Sequence, residues 1–434
     1  MDGITAGIVG VVAILVLIGL RVPIGLVLTT VGICGLIAVS GWSIAMTLID
    51  LVPYEFAASW ELSAIPMFLL MGTIAYNSGL TASLFEVARR WLSGMPGGLA
   101  VASNFASAGF AAASGSSLAT TVAMGQIAIP EMLKSRYDRG LAAGVIASSG
   151  TLGSLIPPSV LMILYGVFAE QSISQLFIAG ILPGILTACV YALMIVVRCT
   201  LTPSLAPREP VAYTLAQRLE PLKDVWPLPV LILAVIGSIY FGISTPTEAG
   251  AFGAVVAAII AALRGRLTWV ILRNSVVEAL QSTASIFFVG IGAVLLTRFM
   301  VLSGLPLYIA DLMDAAGLDA ILIVLMTAGV YLVLGMFLDP IGLMLLTLPI
   351  VLPIFEVAQL EPIWIGILIV KFVEIGLMTP PVGLNVYAVK TIVGDRIPLE
   401  TIFRGVLWFL FCEAIVVGLL IAFPDIILVL PRQM

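Results

Sequence analysis

The sequence contains no histidine among its 434 residues. This absence excludes a Ser-His-Asp triad, imidazole acid-base catalysis and any histidine-ligated zinc, copper or haem. Cysteine is also scarce, and the four that occur show no CxxC spacing and lie within or beside apolar segments, so they predict neither disulfides nor a metal site: Cys34, Cys189, Cys199 and Cys412. We therefore predict that the chain is not an enzyme and holds no cofactor.

Charge is equally scarce. Only 10% of the residues are charged and 61% are hydrophobic, whereas soluble domains are typically about 25% charged. The 19 Lys and Arg are scattered singly or in pairs and the net charge is −5, so no basic surface exists for a nucleic acid. A GxxxxGK[ST] phosphate-binding loop is missing too, which excludes ATP hydrolysis by that machinery. The composition indicates a protein embedded in a lipid bilayer.

Apolar runs of 18 or more residues recur from end to end, and each is long enough to cross about 30 Å of hydrocarbon. They predict an all-α integral membrane protein with ten spans. The first run follows Asp2 without a cationic leader, so we expect it to be a retained span. The predicted spans lie near residues 4–20, 22–40, 61–80, 140–168, 174–198, 226–243, 246–264, 276–300, 361–390 and 404–430.

Two further apolar regions, 97–130 and 320–355, have a polar or proline-containing break at their middle. The breaks are Ser114-Gly115-Ser116-Ser117 and Leu338-Asp339-Pro340. We predict that both regions are re-entrant helical hairpins, because exposed backbone at a tip is tolerated in a membrane only inside protein or beside a wet cavity.

The basic residues predict the orientation, since they favour the cytoplasmic side of short loops. Most of them fall in loops that the predicted spans place on the same side of the membrane: Arg21, Arg89, Arg90, 134–139, 198–223, 264–273 and 396–404. The opposite loops, 41–61, 303–319 and 355–362, contain acidic residues but no Lys or Arg. Both termini are then periplasmic, the first hairpin opens inward and the second outward. The amphipathic stretches 81–93 and 305–316 are predicted to lie along the membrane interfaces.

An internal repeat relates the two halves. Six Gly or Pro positions recur at one constant offset in the numbering: Gly19 and Gly242, Pro23 and Pro246, Pro130 and Pro353, Gly153 and Gly376, Pro157 and Pro380, Pro158 and Pro381. Because five spans separate equivalent points, the second copy should cross the membrane upside down, as in secondary transporters. We predict repeats at 1–225 and 226–434, each with one hairpin and one broken helix, at 140–168 and 361–390.

The proline pairs Pro157-Pro158 and Pro380-Pro381 interrupt these two helices. Proline has no amide hydrogen, so carbonyls one turn earlier lose their helical partners at mid-membrane depth. Freed carbonyls and nearby Ser and Thr hydroxyls are oxygen ligands for a hard cation. A structural kink is the alternative, but two kinks at equivalent places beside hairpins favour a binding site.

Several side chains near the breaks have two interpretations. Asp339 could cap the helix that begins at Pro340 or help to organise an ion site. Lys371 and Glu374, three apart on a helix, are predicted to pair, unless Lys371 is the counter-ion of an anionic substrate. Asn385 could bind substrate or a neighbouring helix, and the same holds for Tyr387.

At these residues the chain resembles the large membrane subunit of tripartite ATP-independent periplasmic (TRAP) transporters, over essentially its whole length. The resemblance implies an elevator mechanism that imports a small organic anion with sodium ions. It also implies two partners, a small four-helix membrane subunit and a periplasmic substrate-binding protein, in the bacterial inner membrane. Sodium sites between each hairpin tip and its broken helix would involve Ser114, Ser117, Gly150, Gly153, Pro157, Asp339, Gly376, Met378 and Thr379. Substrate would be bound by Ser116, Ser154, Lys371 and Asn385.

Other functions remain open at this point. A one-component dicarboxylate or anion symporter would share the hairpin plan but need no binding protein. A channel would not need two broken helices with mobile hairpins, and an intramembrane enzyme would have to work without histidine. C4-dicarboxylates, other short carboxylates and sialic acid are all candidate substrates.

Overall fold

The structure is a computed structural model that describes residues 2–80, 82–207 and 213–434. All regular elements in these ranges are helices, which confirms the predicted all-α class. In the first half they are α1 (Gly3–Gly19), α2 (Ile24–Ser40), α3 (Trp42–Ala57), α4 (Ala64–Asn77), α5 (Ala82–Leu92), α6 (Gly98–Ser114), α7 (Ser117–Lys134), α8 (Arg139–Ser149), α9 (Leu152–Leu155), α10 (Val160–Phe168), α11 (Ile173–Leu201), α12 (Leu215–Leu219) and α13 (Leu222–Val225).

The second half has a similar series of helices. They are α14 (Pro227–Ile232), α15 (Ser238–Tyr240), α16 (Pro246–Leu263), α17 (Trp269–Ser303), α18 (Leu305–Ala315), α19 (Ala320–Gly335), α20 (Pro340–Val357), α21 (Pro362–Gly376), α22 (Leu384–Val393), α23 (Leu399–Ala422) and α24 (Asp425–Leu428). A π turn over Leu233–Gly237 joins α14 to α15. Two predicted features extend beyond the described residues: Thr81 begins the stretch 81–93, and Arg208 belongs to the basic stretch 198–223.

Each predicted span contains helix, but the predicted outer loop 41–61 was wrong. Most of it forms α3, in which Ala45, Val52 and Phe56 are buried. Their spacing of seven and four residues places them on one helical face. Asp50 and Glu55, whose charges suggested a loop, point outward from the same helix.

Five single helices of the described residues are long and apolar enough to cross a membrane: α11, α16, α17, α20 and α23. Three bent pairs also qualify, α3 with α4, α8 and α9 with α10, and the run from α12 to α15. These findings rest on length and composition, so the membrane orientation of the termini and hairpins stays a prediction.

The helix boundaries follow the internal repeat. α5 and α18 begin and end at positions that differ by the same offset as the repeated glycines and prolines, and so do α7 and α20. The first residues of α8 and α21 are also separated by that offset. The hairpin arms and the broken helices therefore recur at the spacing that the glycines and prolines predict.

Packing between the halves is reciprocal. α2 packs on α17 while its counterpart α16 packs on α4. In the same way α7 contacts α22 and α20 contacts α10, while α8 contacts α23 and α21 contacts α11. Exchanged contacts of this kind are expected when two copies are related by a twofold axis. The repeat limits at 225 and 226 and the inversion of one copy stay predictions.

The broken helices form the centre of the molecule. Every residue from Gly140 to Ser149 in α8 is buried, and so is every residue from Ile363 to Gly376 in α21. Polar groups on these two helices are consequently removed from both lipid and water, so each of them needs an internal partner.

Candidate functional site

The tip of the first hairpin rests directly on the first helix break. Gly115 turns the chain between α6 and α7 with a φ of +61°, a conformation that glycine adopts without strain. A Cβ at this position would lie 2.6 Å from the Pro158 carbonyl oxygen. Ser116 then caps α7, with its Oγ accepting from the Ala119 amide at 3.4 Å. The tip therefore needs glycine both for its turn and for its approach to the break.

Hydroxyl groups join the tip to the break. Ser117 Oγ lies 2.8 Å from Ser154 Oγ, and a Cβ at Gly153 would lie 2.5 Å from the Ser116 carbonyl oxygen. Ser114 Oγ lies 2.8 Å from Thr120 Oγ1 within the tip. Two of the predicted residues from the tip, Ser116 and Ser117, thus meet two from the break, whereas Ser114 is bonded within the hairpin.

Gly150 and Pro157 complete the first break. Gly150 lies against Thr121, whose Oγ1 would be only 1.8 Å from a Cβ at that position. Pro157 is buried and is joined to Pro158 by a cis peptide bond. The two prolines have no amide hydrogen to offer the carbonyls of Gly153 and Ser154. No hydrogen bond reaches either carbonyl from the residues that the structure describes.

The second break is packed by backbone instead of hydroxyls. A Cβ on Gly376 would lie 2.7 Å from the Cα of Gly335 at the end of α19, and the amide of Gly383 donates to the Met336 carbonyl at 3.3 Å. The carbonyls one turn before its prolines are both partnered: Gly376 O accepts from the Thr379 amide at 3.1 Å, and Leu377 O accepts from the Asn385 amide at 3.0 Å.

Among the predicted ion ligands of the second half, Asp339 stands apart. Its side chain is exposed, and Oδ2 accepts from the Gly342 amide at 2.9 Å, which confirms the interpretation of Asp339 as a helix cap. No hydrogen bond or ion pair of the described residues joins its carboxylate to Gly376, Met378 or Thr379. Thr379 itself donates to the Ile375 carbonyl at 2.6 Å.

The predicted pairing of Lys371 with Glu374 was wrong. Lys371 Nζ lies 2.6 Å from Glu413 Oε2 on α23 and donates to Oε1 at 2.9 Å. It also donates to Thr187 Oγ1 on α11 at 2.9 Å, and the Tyr191 hydroxyl donates to the same Glu413 carboxylate. A spacing of three allows a pair on one helix, but here neighbouring helices offer Lys371 a fully buried carboxylate instead.

Glu374 turns to the other half of the molecule. Its Oε2 accepts from Ser117 Oγ at 2.6 Å, so the second broken helix contacts the first hairpin tip. Asn385 adds a second link between the halves, because its Nδ2 donates to the Ala147 carbonyl of α8 at 3.3 Å. The two helix breaks therefore belong to one connected site.

The predicted substrate ligands fall into two groups. Ser116 and Ser154 lie at the junction of the first tip and break, with Ser116 half-buried. Lys371 and Asn385 are buried and engaged with protein partners. Of the two interpretations of Asn385, the structure shows the contact with a neighbouring helix.

Sequence reasoning missed Glu413, Tyr191 and Thr187. Glu413 could have been found, because a single carboxylate within the apolar run 405–422 is costly unless it is paired. Thr187 and Tyr191 are four residues apart and share a face of α11, but nothing in the sequence marks that face as the one that meets Lys371.

Known proteins match this chain over most of its length. The family model described as "Tripartite ATP-independent periplasmic transporter, DctM component" matches residues 11–426. A C4-dicarboxylate TRAP transporter large permease protein, DctM, of Pseudomonas aeruginosa is 35% identical, over 87% of this chain and 88% of that protein. The 2,3-diketo-L-gulonate TRAP transporter large permease protein YiaN of Escherichia coli is 30% identical, over 86% of this chain and 87% of that protein.

Two further matches extend the picture. The sialic acid TRAP transporter permease protein SiaT of Haemophilus influenzae is 31% identical, over 86% of this chain but only 60% of that longer protein. The crystal structure of the YdaH transporter of Alcanivorax borkumensis superposes with a TM-score of 0.65 at 15% identity, over 89% of this chain and 90% of that one. At this identity, the structural likeness concerns the fold alone.

Proposed function

We infer the function of this chain from its family: it belongs to the DctM components of tripartite ATP-independent periplasmic transporters, the TRAP large permease subunits. It is therefore a multi-pass membrane subunit of a bacterial transporter. Membership of this family implies the inner, cytoplasmic membrane as its location, and its relatives are transport permeases, which supports a role without catalysis.

We propose that the chain imports a small organic acid from the periplasm. Three relatives carry names for C4-dicarboxylates, sialic acid and 2,3-diketo-L-gulonate, and all three compounds are organic anions. The proposal depends above all on one observation, the contact of Ser117 at the first tip with both Ser154 and Glu374. That contact builds a single polar site, buried at the centre of an otherwise apolar molecule, from both halves of the chain.

Sodium is the proposed coupling ion. The site offers only oxygen donors, namely hydroxyls, carbonyls and one carboxylate, and hard cations prefer such ligands. The chain has neither a phosphate-binding loop for ATP nor histidine to relay protons. Coupling to an ion gradient, with the ion bound by oxygen ligands at the two helix breaks, is consistent with both absences.

An elevator movement is the proposed mechanism. The hairpin arms pack against the broken helices, as α6 does on α8 and α19 on α21. A second group is formed by α2 with α17 and by α4 with α16, and this group contacts the hairpin arms through α4 on α6 and α17 on α20. Two bodies of this kind, one carrying the site and one forming a frame, are what a sliding transport unit requires. We also propose that a periplasmic binding protein delivers the substrate and that a small four-helix membrane subunit supports the chain.

Reconstitution tests this function. The chain should be placed in liposomes with its small subunit, and uptake of radiolabelled succinate and of sialic acid should be measured with and without the binding protein. We expect saturable uptake of one acid that requires both an inward sodium gradient and the binding protein. Equal uptake in sodium and potassium would refute sodium coupling. Full uptake without the binding protein would establish the one-component symporter.

A further inference from the structure

The buried charges of the protein do not balance. Among the residues that the structure describes, only Lys371, Glu374 and Glu413 are charged and buried, each about 1% exposed. Lys371 and Glu413 form an ion pair with each other. Glu374 forms no ion pair among the described residues, and a buried carboxylate inside a membrane protein is costly unless something neutralises it.

The two oxygens of Glu374 have different surroundings. Oε2 accepts the Ser117 hydroxyl at 2.6 Å, while Oε1 has no hydrogen-bond partner among the described residues. Since the hydrogen of Ser117 goes to Glu374, the 2.8 Å contact of Ser117 with Ser154 uses the hydrogen of Ser154. With Glu374 ionised, Ser117 donates to the carboxylate and Ser154 can donate to Ser117, and this chain of hydrogen bonds would stabilise the charge.

A cation beside Oε1 would neutralise the buried Glu374 carboxylate. Neutral oxygens lie on the first break, whose Ser154 contacts Ser117, the residue that donates to Glu374. These are Ser154 Oγ, one hydrogen bond from Ser117, and the free carbonyls of Gly153 and Ser154 on the same short helix.

We propose that Glu374 is the anionic ligand of a sodium ion bound at the first helix break, although it belongs to the second broken helix. This inference rests on the proposed sodium coupling and adds a residue from outside the hairpin-and-break pair. One bound ion would then connect the first tip, the first break and α21. Loss of that ion leaves the Glu374 charge without compensation, so sodium binding and the packing of the two halves are linked.

Glu374→Gln tests the proposal, because it keeps the shape and removes the charge. Glu356→Gln is the matched control, since Glu356 lies in the same half, is exposed and makes no ion pair among the described residues. Both variants should be purified with the small subunit, and their thermal stability should be titrated with sodium against potassium. Sodium-dependent uptake by the same variants should also be measured in liposomes.

For Glu374→Gln we expect at least a tenfold rise in the sodium concentration that gives half-maximal thermal stabilisation, and the same shift in uptake. Glu356→Gln should behave as the unmodified protein. If Glu374→Gln does not fold, Glu374→Asp takes its place, and the shorter side chain should raise the required sodium concentration while keeping the charge.

The outcomes separate this inference from the proposed function. An unmodified protein that responds to sodium, together with an unchanged response in Glu374→Gln or Glu374→Asp, would overturn the inference and leave sodium coupling intact. An unmodified protein without any sodium response would overturn both. Loss of pH dependence with retained sodium dependence in Glu374→Gln would identify a proton carrier and would also overturn the inference.

Discussion

The two broken helices share a backbone plan but differ in chemistry. At equivalent positions of the repeat, α8 and the turn after it carry Ser148 and Thr151, whereas α21 carries Lys371 and Glu374. Among the described residues, the carbonyls before the prolines have no hydrogen-bond donor in the first break and are partnered in the second. The two halves therefore unwind at equivalent positions, while charge and free ligands are distributed unequally between them. The first break offers oxygens, and the second supplies the charge.

Of the replacements that compare the two broken helices, that of Lys371 should change the free energy of unfolding most. Lys371→Met leaves Glu413 buried without its cation, and breaking a buried pair in this way costs about 3–5 kcal/mol. The equivalent change in the first helix, Ser148→Ala, should alter stability by less than about 1 kcal/mol, because Ser148 Oγ has no hydrogen-bond partner among the described residues. Denaturant unfolding in detergent micelles measures both.

A double variant serves as the control for this prediction. Lys371→Met combined with Glu413→Gln removes both charges, and most of the lost stability should return. Equal losses for Lys371→Met and Ser148→Ala would show that the two broken helices are energetically alike and that the buried pair contributes little.

The hydroxyls of Ser117 at the first hairpin tip and Thr379 at the second break should differ in their effect on sodium binding. Ser117→Ala removes a charge-assisted hydrogen bond to Glu374, worth about 1.5–3 kcal/mol, and should raise the sodium concentration for half-maximal uptake about tenfold. Thr379 donates to a carbonyl of its own helix, so Thr379→Ala should raise that concentration by only about threefold. Uptake titrated with sodium at fixed membrane potential measures both.

Each outcome of the Ser117 and Thr379 titrations bears on the site. Equal shifts in the two variants would indicate two equivalent ion sites. An unchanged sodium dependence in both, with normal membrane insertion, would remove the assignment of the ion sites to the hairpin tips and breaks.

Asp339 at the second tip should show the smallest effect. As a helix cap, Asp339→Ala should lower the free energy of unfolding by about 1 kcal/mol, while Asp339→Asn should leave it nearly unchanged because asparagine caps equally well. Thermal unfolding of the purified variants measures this difference. A loss of sodium dependence in Asp339→Asn would show instead that its charge serves an ion site.

The sequence predicted the placement of the breaks better than the contacts between them. Glycine and proline restrict the backbone locally, so Gly115, Pro157 and Pro380 predicted the tip and both interruptions without any knowledge of packing. The partner of Lys371 could not be predicted in this way. Glu413 lies 42 residues further along, and which helices become neighbours depends on the whole fold.

The error at 41–61 has a related cause. Asp50 and Glu55 suggested a loop, but a helix can carry charges on one side while Val52 and Phe56 are buried on the other. The charges correctly indicated an exposed surface, but the backbone that carries them is a helix and not a loop. The helical spacing of the apolar residues was the better signal.

Gly335 and Gly376 contact each other through main chain alone, with no side chain between them. Side chains can change rotamer to absorb a shift, whereas two abutting backbones cannot. The second hairpin and the second broken helix are consequently as close here as two main chains can be, and neither can move towards the other without displacing it. At these two positions we expect no tolerated replacement, so that a saturation library would recover glycine only.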